Sequence, residues 1–267
     1  MYYGIPTLIE FENLEECAKL ASSLSLHFVE ISMDLPLYQT DKLDKNYIIS
    51  LKEKYNVFFT IHLPAFLNFS DFNPYVKDAW LKTVKEVIAF AKETDIPIIN
   101  MHLNKGDYFT LPQGKVNLFD KYEDYYLSSV REFICLCESE IGDKNIKITV
   151  ENTGEYTSFQ KKALGLFLKS EVFGLCFDIG HDHKNGNKDE SFIIENQSKL
   201  YHIHFHDSIG VEGNKKDHLP PLEGENDLNK YLYLANRCDA KVVLEVKTKE
   251  GIEKAVNYLI NTPLPLV

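Results

Sequence analysis

The chain has 267 residues and carries 29 Lys and Arg against 40 Asp and Glu, a net charge of −11. That length suits one large barrel or two small domains, and the acidic balance removes any general attraction for a phosphate backbone, so nucleic-acid binding would need a local basic face. Five cysteines, an odd number with no Cys-x-x-Cys pair, read as reduced core thiols; with no basic-then-apolar leader and no run of transmembrane length, the expectation is a soluble, cytoplasmic protein with no membrane partner.

Short β-rich runs alternate with longer helical patterns. Strands are predicted at Tyr2–Ile5, Phe28–Ser32, Val57–His62, Ile98–His102, Ile146–Glu151, Gly174–Asp178, Leu200–His204 and Val242–Val246. Helical patterns lie between them, among others at Leu14–Leu24, Pro74–Glu93 and Tyr122–Glu140, and Asn73-Pro74 marks a helix start. Eight strand–helix units predict an α/β fold of the (β/α)8 TIM-barrel kind, a single domain over residues 1–267. The alternative is an open doubly wound sheet, but no glycine-rich phosphate turn follows the first strand. Two long connections, Asn104–Asn117 and Ser208–Asp227, follow the fourth and seventh strands. Both sit on the face where barrel enzymes keep their chemistry, so each is a candidate lid or an irregular surface loop.

The strand ends carry the functional signal. The third strand ends in His62, the fourth in His102, the fifth in Glu151-Asn152, the sixth in Asp178-Ile-Gly-His181, the seventh in His204 and the eighth in Glu245. One strand-end His is more often a capping or hydrogen-bonded residue than a ligand, and one carboxylate there often just salt-bridges a loop. Independent capping would not place His or a carboxylate at six successive strand ends. Like charges gathered at one mouth would repel unless a cation compensated them. Imidazole and carboxylate are ligands of zinc, manganese and iron. His202 lies two residues deeper than His204 and reads as a hydrogen-bonded core residue. His206 and Asp207 read as groups that orient the ligands. His27 reads as structural, and His183 as either solvated or a substrate contact. Cys176 shares a face with Asp178 and reads as a core thiol below the site.

With these residues in view, the chain resembles the xylose-isomerase-like barrel superfamily, which holds sugar isomerases and epimerases and the endonuclease IV group. The matching segments are Ile61-His-Leu-Pro-Ala-Phe-Leu-Asn68, Met101-His-Leu-Asn-Lys-Gly106, Val150-Glu-Asn-Thr-Gly154, Gly174-Leu-Cys-Phe-Asp-Ile-Gly-His181, His202-Ile-His-Phe-His-Asp207, His218-Leu-Pro-Pro221 and Val243-Leu-Glu-Val246. As a set they point to the superfamily and say little about the individual reaction. The resemblance implies that Glu151, Asp178, His204 and Glu245 hold one divalent metal (Zn, Mn, Fe, Co or Mg). In endonuclease-like members the positions of His62 and His102 join Glu151 around a second metal. There His181 and His218 hold a third, with an aspartate two residues before the last histidine. Here that position is Lys216, and the aspartate stands one place later at Asp217, which puts the third site in question. The aromatic that DNA-cleaving relatives carry three residues after the first histidine is Ala65, with Phe66 next.

Two mechanisms follow. The first is a sugar or sugar-phosphate isomerase or epimerase working through an enediolate, with Glu151 and Glu245 moving the proton and His181 on a substrate hydroxyl. In it Asp178 and His204 are ligands only, and Lys105 and Lys247 are either solvated or bind an anionic group. The second is an endonuclease IV-like phosphodiesterase acting at abasic sites in DNA, with His62 and His102 in its favour and Lys215 and Lys216 as local phosphate contacts. The displaced Asp217, Ala65 and the acidic total oppose it without excluding it. A metal- or ligand-binding barrel without catalysis is a third reading. A homo-oligomer is compatible with the sequence, which carries no signal for or against one.

Overall fold

A computed structural model describes residues 1–210 and 215–262. The strands of the barrel are β1 (Tyr3–Pro6), β2 (Phe28–Ser32), β3 (Phe58–His62), β4 (Ile98–His102), β5 (Lys147–Glu151), β6 (Phe173–Asp178), β7 (Leu200–Phe205) and β8 (Lys241–Leu244). Each pairs in parallel with its sequence neighbours, and β1 closes the ring on β8. The helices around it are α1 (Leu14–Ser23), α2 (Lys45–Tyr55), α3 (Pro74–Thr94), α4 (Glu123–Ile141), α5 (Ser158–Phe167), α6 (Ile179–Lys184), α7 (Glu190–Glu195), α8 (Leu228–Cys238) and α9 (Lys249–Asn261). This is the predicted (β/α)8 barrel.

Strands buried on both faces read as near-continuous apolar runs. All of β6 is buried, as are Phe28–Ile31 of β2 and Ile98–Met101 of β4. The helices begin where short polar side chains satisfy the free N–H groups of a first turn. Asn13, Asp44, Asn73, Asp227 and Thr248 each accept such a bond, and Thr157 forms a reciprocal capping box with Gln160. Phe69 and Phe133 stack with ring centroids 4.3 Å apart, packing a loop at the mouth against α4. Cys17, Cys137 and Cys176 are buried, whereas Cys135 is exposed.

Both long connections contain hairpins that the apolar pattern did not announce. Tyr108–Leu111 pairs with Gly114–Asn117, and Asp207–Ile209 pairs with Lys216–Leu219. Residues 211–214 of the Ser208–Asp227 connection lie outside the described residues. No helix among the described residues is long and apolar enough to cross a membrane.

Candidate active site

Parallel register sets the strand ends side by side at the C-terminal mouth. His102 pairs with Glu151, and Asp178 with His204, while His62 pairs one level lower with Asn100. Glu245 follows the last residue of β8 and its backbone N–H bonds to Phe205 O at 3.0 Å. Asp178 ends β6 and caps α6, accepting the His181 N–H at 2.6 Å, so one carboxylate both closes a strand and turns His181 into the mouth.

The groups converge on one another. Glu151 Oε2 lies 3.2 Å from His62 Nε2 and 3.2 Å from His204 Nδ1, and its Oε1 lies 3.3 Å from His102 Nε2. His204 Nδ1 is also 3.3 Å from Glu245 Oε2 and 3.9 Å from Asp178 Oδ2. His181 Nδ1 stands 3.1 Å from Asp178 Oδ2 and 3.7 Å from Glu151 Oε1. Glu151 and Glu245 are in turn held from behind. Asn100 Nδ2 donates to Glu151 Oε2 at 2.5 Å, with Thr149 Oγ1 donating to Asn100 Oδ1 at 2.9 Å. Lys247 Nζ pairs with Glu245 Oε1 at 2.6 Å.

Burial opposes charge on His62, His181, Glu151 and Glu245, and their partners outweigh it. His62 is pushed up to about 8 by Glu151 against the cost of burial. His181 is pushed up to about 9, with Asp178 and then Glu151 overcoming burial. Glu151 is held well below the usual carboxylate range because His204 and His102 outweigh its burial, and Glu245 likewise because of Lys247 and His204. His218 goes the other way, down to about 4, because burial dominates.

The residues fit a divalent cation. His181 Nδ1, His204 Nδ1 and Glu245 Oε2 are buried and have no hydrogen-bond partner among the described residues. The two nitrogens face carboxylate oxygens of Glu151 and Asp178, and Glu245 Oε2 faces His204 Nδ1. Orphaned nitrogen and oxygen donors aimed at one space are what a metal site leaves behind when read from the protein side alone. His62–His102–Glu151 and His181–Asp217–His218 form two further groups, each with one ligand atom per residue within 4.8 Å of the others. The one-residue displacement of the aspartate therefore does not keep Asp217 out of the His181–His218 group, contrary to the expectation from spacing.

A cleft of about 320 Å³ opens over these residues, bounded by Thr7, Ser32, Asp34, His62, His218 and Lys247. Lys105 and His183 do not line it. His183 Nδ1 instead meets Ser208 Oγ at 2.9 Å. His206 Nε2 lies 3.0 Å from Oδ1 of the candidate ligand Asp178, the contact that the expected orienting role requires. The Asp207 carboxylate instead accepts the backbone N–H groups of Ser208, Leu222, Gly224 and Asn226 and ties down the following loop. His27 Nδ1 accepts the Tyr3 N–H at 3.2 Å. Phe66 is 82% exposed, and Lys215 and Lys216 are exposed.

Sequence reasoning missed Glu30 and Asn100. Glu30 is 2% exposed on β2, with Oε1 2.8 Å from His202 Nε2 and Oε2 3.0 Å from His204 Nε2. The available signal was a lone carboxylate in the apolar strand Phe28-Val-Glu-Ile-Ser32, because buried acids are almost never unpaired.

Comparison with known proteins agrees with this architecture. The chain is 24% identical to the protein MJ1311 of Methanocaldococcus jannaschii, over 93% of this chain and 84% of that one. Its fold is similar to that of a D-tagatose 3-epimerase-like protein, with a TM-score of 0.74, 22% identity and 98% of both chains covered. It is also similar to that of the IOLI protein with a binding zinc atom, with a TM-score of 0.74, 15% identity, 98% of this chain and 97% of that one. The sequence model of the family described as xylose isomerase-like TIM barrel matches residues 18–262, and the chain belongs to that family.

Proposed function

We propose that the protein is a divalent-metal-dependent isomerase or epimerase of a sugar or sugar phosphate, working through an enediolate. The observation that carries this reading is the approach of two buried carboxylates to one imidazole nitrogen. Glu151 and Glu245 reach His204 Nδ1 at 3.2 and 3.3 Å from the two flanks of β7. Glu151, Asp178, His204 and Glu245 would hold the metal, with His181 beside them. When bound, the metal supplies electrophilic stabilisation of the negative charge that builds on the substrate oxygens as a carbon-bound proton leaves.

The chain's own groups supply the rest. One of Glu151 and Glu245 removes the proton and the other returns it. Asn100 fixes Glu151 from behind and Lys247 fixes Glu245, so each carboxylate has one oxygen anchored. His181 presents a proton to a substrate hydroxyl. The cleft of about 320 Å³ is at the small end for ligand sites and suits a monosaccharide. The epimerase and zinc-bound barrels that share this fold support the reading. The test is deuterium uptake from D2O into carbon-bound positions of a panel of ketoses, aldoses and their phosphates, followed by NMR on metal-loaded protein. Absence of exchange and of interconversion across the panel would reject it.

A second reading has its own observation. The His62–His102–Glu151 and His181–Asp217–His218 groups supply donors for two more ions, which suits metal-dependent phosphodiester cleavage at abasic DNA sites. Nicking of an abasic duplex, together with three bound metal equivalents, would select it over the sugar reading.

A further inference from the structure

We propose that Glu30 is a positioning residue that holds His204 in the tautomer turning Nδ1 toward the candidate metal site. This rests on the reading of His204 as a ligand. A carboxylate offers only acceptors, so once a cation takes one nitrogen of His204 the nitrogen facing Glu30 is the one that keeps the hydrogen. Glu30 sets both oxygens against imidazole nitrogens: Oε1 accepts from His202 Nε2 at 2.8 Å, and Oε2 faces His204 Nε2 at 3.0 Å. A neutral imidazole has a single N–H. With that hydrogen turned to Glu30, the lone pair of His204 is on Nδ1, the atom lying 3.2 Å from Glu151 and 3.3 Å from Glu245.

The arrangement is rigid as well as oriented. His202, His204 and Glu30 are buried, and Thr60 Oγ1 stands 3.4 Å from the Glu30 oxygen that His202 holds. His202 therefore has a role of its own: by occupying one oxygen it stops the carboxylate from rotating away from His204. Outer-shell partners of this kind fix ring orientation and raise ligand basicity.

Glu30→Gln keeps the shape and replaces one acceptor by an NH2 donor, so the two imidazoles can no longer both donate. The first measurement is affinity for Zn2+ alone, by chelator competition, in folded wild type and Glu30→Gln. The expected result is a loss of about 10- to 100-fold. The second is long-range 1H–15N NMR of the zinc-loaded wild type, with the His204 signals assigned through His204→Gln. The expected result is hydrogen on Nε2 and metal on Nδ1, and this measurement decides the matter even where Glu30→Gln does not fold. Unchanged affinity in a folded variant, or zinc on Nε2 of His204, would overturn the role of Glu30 while leaving the metal site standing. Failure of the wild type to bind zinc would overturn both.

Discussion

Gly180→Ala is the sharpest test of how tightly the mouth is built. Gly180 is the second residue of α6, between Asp178 and His181, and lies against the buried ring of His206. An added methyl carbon would stand 2.8 Å from His206 Nε2 and nearer still to Nδ1 and Cε1. The ring has little room to yield. Its Nδ1 accepts the His218 N–H at 2.9 Å, its Nε2 meets Asp178 Oδ1 at 3.0 Å, and His218 packs on it with centroids 4.4 Å apart. Overpacking of a filled core costs about 1–3 kcal/mol, and a buried donor left without its acceptor costs about 1–3 kcal/mol more. A destabilisation of at least about 2 kcal/mol is expected, and at about 2–4 °C per kcal/mol the melting midpoint should fall by at least about 4 °C. Zinc affinity should fall with it, because His206 can no longer orient Asp178. Differential scanning calorimetry and chelator competition measure the two effects. A variant that melts within a degree of wild type and keeps its zinc affinity would refute the claim that this contact fixes the site.

Glu151→Gln should leave the fold intact and lower turnover by at least about 100-fold, because a carboxamide cannot move the proton; retained kcat would remove Glu151 from that role. His62→Ala breaks the His62–His102–Glu151 group, and metal counting by native mass spectrometry separates its outcomes. Loss of one of several equivalents together with activity would favour the phosphodiesterase, and a mild effect with one equivalent kept would favour the isomerase. The pH dependence of the metal-free protein follows from its raised histidines, two of which are His62 and His181. His62 and His181 ionise at about 8 and about 9 when folded, against 6.5 without partners. Their contribution is therefore full below 6.5 and is lost as pH rises through 8 to 9. Melting midpoints in EDTA should fall across that window, while the gain on adding zinc should grow, since the same protons compete with metal. A flat or rising midpoint in EDTA would contradict the assigned contacts.

The barrel was legible because each strand changes character at a definite place. Phe28–Ser32 and Ile98–His102 have the same limits in sequence and structure. The eighth strand, expected at Val242–Val246, runs from Lys241 to Leu244 and leaves Glu245 just beyond it. An apolar run that ends in His or Glu is visible locally. What an acid inside the run is paired with is not. Glu30 finds His202 across 172 positions of sequence, and its partners exist only once the ring has closed. Asn100 was hidden for the same reason. Its amide looks like any polar residue in β4 until register brings Thr149 and Glu151 alongside it. The hairpin at Tyr108–Leu111 escaped because its residues are exposed on both faces, so burial imposes no alternation on them.

Asp217 shows why spacing misled where it did. In a regular strand, residues two apart share a face and adjacent ones oppose, so an aspartate next to His218 should point away from whatever His218 faces. The hairpin that carries them is not regular. Asp207 pairs with Leu219 and Ile209 with Lys216, so two steps on one strand span three on the other. The extra residue falls in the Asp217-His218 stretch, and His218 takes a left-handed backbone with φ 54°. A bulge of this kind re-aims side chains beside active sites, and histidine is among the residues that tolerate such a conformation. His218 then turns its Nδ1 to Glu245 O at 3.1 Å, while Asp217 Oδ2 comes within 3.8 Å of His181 Nε2 and pairs with Lys184. The aspartate lost from one register position is returned by the bulge to the same cluster. Lys184 is then a built-in competitor for that carboxylate: any ion held by His181, Asp217 and His218 has to displace an ammonium group first. Among the described residues, the Glu151–Asp178–His204–Glu245 set shares its carboxylates with one lysine, Lys247 on the outer oxygen of Glu245, whose inner oxygen has no hydrogen-bond partner. Metal should therefore fill that set before the one around Asp217, and this ordering is what keeps the single-metal sugar chemistry ahead of the three-metal alternative.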